Sequence, residues 1–207
     1  MVEIRDRIKK DRSEKNTIVE RKANASLDKR TIAKKFRDLA DKAQKRLGTK
    51  ESIKFFNDKL VRRKVNHDDL LKNYRTISNP TPGSMLVYNY DPKHKDKLPY
   101  YDQHPCIILL DYTKDGWYGA NLHYLPPRLR ADLLIEIGWN KKIPLNQLAK
   151  SMERNDLTKI CLKRYLRRQL NSRVKVVNRE DWEIIVQLPF DAFVKESRAA
   201  IWRKARR

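Results

Sequence analysis

His67, His94, His104 and His123 are the chain's four histidines, and Asp91, Asp96 and Asp102 lie near two of them. Imidazoles and carboxylates that converge on a divalent ion and a scissile phosphate would make a nuclease. The spacing here matches no metal motif, and His94 sits in a loop of lysines. Loop histidines and turn aspartates without metal are the plainer reading. Only five glycines are present, with no glycine-rich phosphate loop and no Gly-x-Ser-x-Gly elbow. Cys106 and Cys161 stand alone in apolar stretches and read as buried free thiols, in keeping with a reducing compartment. No catalytic residue, metal or cofactor is expected.

The basic residues offer a different chemistry. Arg62, Arg63 and Lys64 form a run. Lys159, Lys163, Arg164 and Arg167, with Arg168 nearby, share one side of a helix expected over 156–170. Arg203, Lys204, Arg206 and Arg207 close the chain. The planar guanidinium pairs with phosphate and keeps its charge. Such contacts give affinity and salt dependence rather than sequence specificity. No zinc finger, RNP-type aromatic run or helix-turn-helix accompanies them. The alternatives are docking on an acidic protein surface or plain solvation. Tyr100, Tyr101, Trp117, Tyr118 and Tyr124 form an aromatic group that reads as sheet core before it reads as a base-stacking platform.

Charge distribution supports the basic reading. The 207 residues hold 48 Lys+Arg against 26 Asp+Glu, a net charge of +22. Residues 1–80 carry 24 cations against 12 anions, residues 81–139 carry 6 against 7, and residues 140–207 carry 18 against 7. A near-neutral centre is flanked by two basic segments. A chain this basic attracts nucleic acid, an anionic membrane face or an acidic protein, and nucleic acid is the commonest partner. Hydrophobic residues make up 40%, too many for wholesale disorder and enough for a core. The sequence has no apolar leader and no run long enough to span a membrane.

The elements that must position these groups divide at 78–83, Ser-Asn-Pro-Thr-Pro-Gly, where no helix can continue. Upstream, residues 1–25 read as a basic arm and 26–79 as a helical segment, with Asn66 capping a short helix. Downstream, 80–190 reads as a β-rich domain with inserted helices. Strands are expected over 85–90, 106–110 and 117–122, the last two joined by an Asp115-Gly116 hairpin turn. Helices are expected from Pro127 to about 137 and from Pro144 to 152, followed by the helix over 156–170. Strands over 173–177 and 182–188 would complete the sheet, and 191–207 would be a basic tail. The fold class is therefore α+β, a small antiparallel SH3-like barrel or sheet with inserted helices and basic arms.

The central block runs PGSMLVYNYDPKHKDKLPYYDQHPCIILLDY, then DGWYGANLHYLPPRLRADLL, then DWEIIVQLPFDAFVK. With the upstream ESIKFFNDKL, these pieces resemble the DNA end protector, or terminal DNA protecting, family of T4-type tailed phages over about 50–195. Asp91, Pro92, Lys93, Leu98, Pro99, Tyr100, Tyr101 and Asp102 match one family segment. Gly119, Asn121, His123, Tyr124, Leu125, Pro126 and Pro127 match another. Most look architectural. The resemblance implies a non-enzymatic virion protein near the portal or neck that holds packaged double-stranded DNA and shields its ends in the host cytoplasm after injection. No membrane and no small-molecule substrate are implied. The competing readings are a structural connector of neck, tail or baseplate, a nuclease, and a cellular nucleoid or RNA-binding protein.

Overall fold

A computed structural model describes residues 66–136, 144–154 and 156–204, with isolated helical positions at Asp38, Asp41, Glu51, Lys54, Phe55 and Asp58. Helix α1, His67–Asn73, starts as its sequence dictates. The Asn66 side chain accepts the Asp69 N–H at 3.0 Å, and the Asp69 carboxylate accepts the Asn66 N–H at 3.0 Å. Strands β1, Arg75–Thr76, and β2, Met85–Val87, lie on either side of the proline-rich break. Gly83 takes φ of +87° there, a conformation that suits glycine. Strands β3, Tyr101–Asp102, β4, Cys106–Thr113, and β5, Gly116–Asn121, follow. The β4–β5 hairpin turns at the expected Asp115-Gly116 step.

A 3₁₀ turn over Leu122–Tyr124 leads into helix α2, Pro127–Glu136. Helices α3, Leu145–Arg154, and α4, Asp156–Lys159, precede strand β6, Leu162–Leu166. Strand β7, Lys175–Val176, helix α5, Trp182–Ile185, strand β8, Phe193–Val194, and helix α6, Arg198–Lys204, complete the described chain. The main sheet is antiparallel in the order β1-β7-β2-β4-β5-β6, and β3 pairs with β8 apart from it. The α+β class stands. The sheet stays open rather than closing as a barrel, although the segments after β2 and β6 meet at one bridge, Tyr90–Leu170.

Alternation along the strands buries both faces of this sheet. Met85, Val87, Cys106, Ile108 and Leu110 join the main core with Leu133, Leu148 and Met152 of the helices. Leu86, Ile107 and Leu109 face the other way, into an aromatic cluster of Tyr88, Tyr90, Trp117 and Tyr165. Edge-to-face ring contacts between 5.0 and 6.3 Å hold that cluster. The Trp117 indole N–H donates to the Tyr88 hydroxyl at 3.2 Å. Both cysteines are buried free thiols, and burial pushes each up to about 12.

Two elements differ from expectation. The helix over 156–170 ends at Lys159, and Leu162–Leu166 is a strand. The apolar residues there fit one helical face and do not alternate cleanly, so pairing with the edge of β5, rather than local pattern, makes the strand. Tyr165 faces Trp117 across that pairing. The strand over 182–188 is instead helix α5 and a following turn. Trp182, Ile184, Ile185, Val186, Gln187 and Leu188 are all buried, so the run shows no alternation. Glu180, Asp181 and Glu183 suit the start of a helix.

The C-terminal segment packs on the domain as far as it is described. Ile201 is fully buried, the Trp202 indole N–H donates to the His123 carbonyl at 2.9 Å, and Arg198 pairs with Asp191 at 2.5 Å. Residues 1–25, Arg62, Arg63, Lys64, Arg206 and Arg207 lie outside the described residues.

Candidate nucleic-acid interface

The loop 91–99, strand β3, the Leu122–Tyr124 turn and strand β6 enclose a cavity of about 560 Å³. One wall is the lysine-rich loop, and Lys195 pins it. That residue sits at φ 69°, and its ammonium donates to the carbonyls of Lys95 at 2.6 Å, Asp96 at 2.9 Å and Leu98 at 3.1 Å. Asp91 adds a salt bridge to Lys95 at 3.0 Å.

Beneath the cavity lies a buried polar network. Asp102 meets His123 Nδ1 at 2.8 Å and accepts Asn121 Nδ2 at 3.1 Å on one oxygen. Its other oxygen accepts the backbone N–H groups of His104 and Ala192, each at 3.0 Å. Asn121 Nδ2 also donates to the Tyr165 hydroxyl at 3.0 Å, and the Asn121 Oδ1 accepts the His123 N–H at 3.1 Å. Burial alone would raise the Asp102 carboxyl, but His123 and these donors hold it down to about 2. Both carboxylate oxygens are engaged by the protein, so Asp102 has no lone pair facing a substrate or ion. His67 and His104 stack at 4.1 Å nearby, and burial with the His104 charge pushes His67 down to about 3. Among the described residues, no group of three or more His, Cys, Asp or Glu could hold a metal ion.

Strand geometry redistributes the expected basic face. Lys163 and Arg164 are successive in β6 and so project to opposite sides. Lys163 is half-buried with its ammonium 4.5 Å from the Tyr124 ring centroid. Burial lowers its pKa, with the Cys161 thiol acting weakly the other way. Arg164 is exposed and paired with Asp115 at 2.6 Å. Arg167 lies 5.7 Å from the Trp117 ring, and Arg168 borders the cavity. Lys159, at the end of α4, and Arg203, on α6, are exposed and away from its lining. Lys204 sits 4.7 Å over the Tyr100 ring and pairs with Glu196 at 3.1 Å. The structure therefore gathers Lys163, Arg164 and Arg168 at one cavity and leaves Lys159 and Arg203 outside it.

The family model of the phage T4 terminal DNA protecting protein matches residues 1–205. The chain belongs to this family. No curated protein and no solved structure matches it. The two segments that carry the sequence resemblance converge on the cavity. Pro92, Lys93, Leu98, Pro99, Tyr100 and Tyr101 come from the first, and Tyr124 from the second. The aromatic group divides accordingly. Trp117, Tyr101 and Tyr124 are buried, as expected of sheet core, whereas Tyr100 is half-buried where it borders the cavity.

Sequence reasoning did not select Lys93, His94, Tyr90 or Tyr165 as cavity residues. A usable signal was present. Two polar-aromatic segments, Tyr100-Tyr101-Asp102 and Asn121-Leu122-His123-Tyr124, each hold side chains that need buried partners. Asp102 and His123 are the partners that bring them together.

Proposed function

We propose that this protein binds double-stranded DNA at its ends and shields them sterically, without catalysis. The observation that carries this reading is the cation-bordered cavity formed by the family-like segments. Lys163 and Arg168 border it with no carboxylate partner among the described residues. Phosphate contacts from Lys163, Arg164, Arg168 and Lys93 would hold a DNA end against the domain. The basic runs at 62–64 and 203–207 would add salt-dependent grip along the duplex. A protein seated on the last base pairs blocks an exonuclease from loading. The setting proposed for this activity is the virion near the portal or neck, and the host cytoplasm after injection.

The catalytic alternative needs Asp102 and His123 accessible. Both side chains are about 2% exposed or less. The connector alternative uses the C-terminal segment as a lacing arm, and that segment is packed on its own domain through Lys204. The test is binding to linear and covalently closed circular duplexes of equal length across a salt series, with exonuclease digestion of the bound linear DNA. Retention of linear DNA with protected ends is the expected result. A steep salt slope with no end preference would reduce the protein to a general basic DNA binder. No binding near physiological salt would favour the connector role.

A further inference from the structure

The cavity has a chemistry more particular than a basic patch. Tyrosine rings border it at Tyr90, Tyr100, Tyr101, Tyr124 and Tyr165. Cations border it at Lys93, Lys163, Arg164 and Arg168. Its two carboxylates are already committed, Asp102 to His123 and Asn121, and Asp115 to Arg164. Lys163 is the unusual member. A half-buried ammonium normally has an anion or several acceptors around it. This one has an aromatic face at 4.5 Å and no ion pair among the described residues. An anion entering the cavity would supply the partner it lacks.

The surroundings say what else the anion carries. Tyr100 and Tyr124 have ring centroids 6.0 Å apart, tilted by 40°, with Lys204 over one and Lys163 over the other. A flat aromatic group attached to a phosphate suits both features at once. The volume of about 560 Å³ lies in the range of small-molecule sites. It admits one nucleotide taken out of the stack and excludes a paired, stacked duplex. Unpairing costs least where a base has only one stacked neighbour, which is at a strand end.

We propose that this cavity takes the terminal, unpaired nucleotide of a DNA strand, its phosphate at Lys163 and Arg168 and its base against the half-buried Tyr100 ring. The proposal rests on the end-protection reading and supplies its selectivity, because a closed circle offers no frayed terminus.

The test compares a hairpin duplex with one open end against a dumbbell of the same sequence closed at both ends, in wild type, Lys163→Met and Tyr100→Leu. Deoxyadenosine 5′-monophosphate, deoxyadenosine and inorganic phosphate serve as competitors. The expected result is a loss of about tenfold in open-end affinity in both variants, with dumbbell affinity unchanged. The monophosphate should displace the open hairpin at lower concentration than either fragment. Competition by inorganic phosphate equal to the monophosphate would overturn the base-binding half. Variants that hold and protect open ends like wild type would overturn the cavity while leaving end protection standing. A wild type that binds hairpin and dumbbell alike and leaves the hairpin's open end unprotected would remove both. The two variants lie on different elements, so a folding failure in one leaves the other informative.

Discussion

Arg130 and Lys163 are both withdrawn from solvent, and their surroundings differ in kind. Arg130 is fully buried and spends its donors on its own chain. Its guanidinium donates to the carbonyls of Leu125 at 2.7 Å, Val186 at 2.9 Å and His123 at 3.3 Å, and Asp191 lies at 3.9 Å. It ties the start of α2 to the turn after α5 and to the 3₁₀ turn under the cavity. Lys163 has only a ring face and the open cavity. A cation whose donors are satisfied internally is architecture, and one left without an acceptor is available to a ligand. In a chain with 48 basic residues, this distinction sorts cations better than charge density does.

Removing each residue should separate stability from binding. Arg130→Ala takes the side-chain donor from the buried Leu125 and Val186 carbonyls, leaves the His123 carbonyl to Trp202 alone, and removes one of the cations beside Asp191. The expected loss is about 3–5 kcal/mol by urea denaturation. Lys163→Met removes a charge that burial disfavours, so stability should hold or rise while open-end affinity falls. If Lys163→Met unfolds the protein as Arg130→Ala does, the distinction between the two cations fails.

His67 sharpens the architectural side through pH. The groups facing it are His104, Phe190, His123, Asp102 and Asn89. The fold holds it neutral down to about 3, whereas an unfolded imidazole titrates near 6.5. Between those values the unfolded chain binds the extra proton. Stability therefore falls as pH drops from 6.5 toward 3, at about 1.4 kcal/mol per unit. Asp102 adds the same sign lower down, since its folded carboxyl is held to about 2 and its unfolded one titrates near 3.8. Unfolding free energies from urea titrations at pH 6.5 and 5 should differ by about 2 kcal/mol in wild type and by much less in His67→Gln. A wild-type curve flat across that window would show that His67 is not held neutral by the fold.

Much of the fold was legible because local signals agreed with tertiary ones. The Asn66 cap, the Asp115-Gly116 hairpin and the Pro127 helix start each need only a few neighbouring residues. The segment 160–166 was not legible, since its apolar residues fit a helical face and only pairing with the edge of β5 makes it a strand. The Lys163 cavity was hidden for the same reason. As a helix, the segment places Lys163 with Arg164 on one solvated face. As a strand, it brings both to the cavity, with Lys163 withdrawn beside Tyr124 and Arg164 exposed beside Asp115. Tyr100 and Tyr124 were visible as aromatics, but which of the group borders a cavity depends on contacts more than twenty residues apart.

The β5–β6 contact permits a test of that strand. A Cβ at Gly116 would lie 1.8 Å from the Tyr165 carbonyl oxygen, which is backbone and cannot swing aside. Gly116→Ala should cost roughly 1–3 kcal/mol and push β6 off its neighbour. Amide exchange should rise over 162–166, and open-end affinity should drop further than Lys163→Met alone produces. Unchanged exchange there would mean that β6 tolerates the displacement and does not depend on that close approach.

The smallest effect belongs to Lys195, whose ammonium reaches three carbonyls of the cavity loop from an exposed position. Water can replace the lost donor at those carbonyls, so Lys195→Met should cost no more than about 1 kcal/mol. Its consequence should be local: faster amide exchange at Lys97 and Leu98, whose N–H groups bond to the His94 carbonyl, and a several-fold weaker hold on the open hairpin with the dumbbell unaffected. Lys195 holds the loop, Leu98 of the cavity lining included, and does not itself line the cavity. A loss of hairpin affinity without faster exchange at these amides would mean that Lys195 contacts DNA directly, and would move it from the group of internally spent cations to that of Lys163.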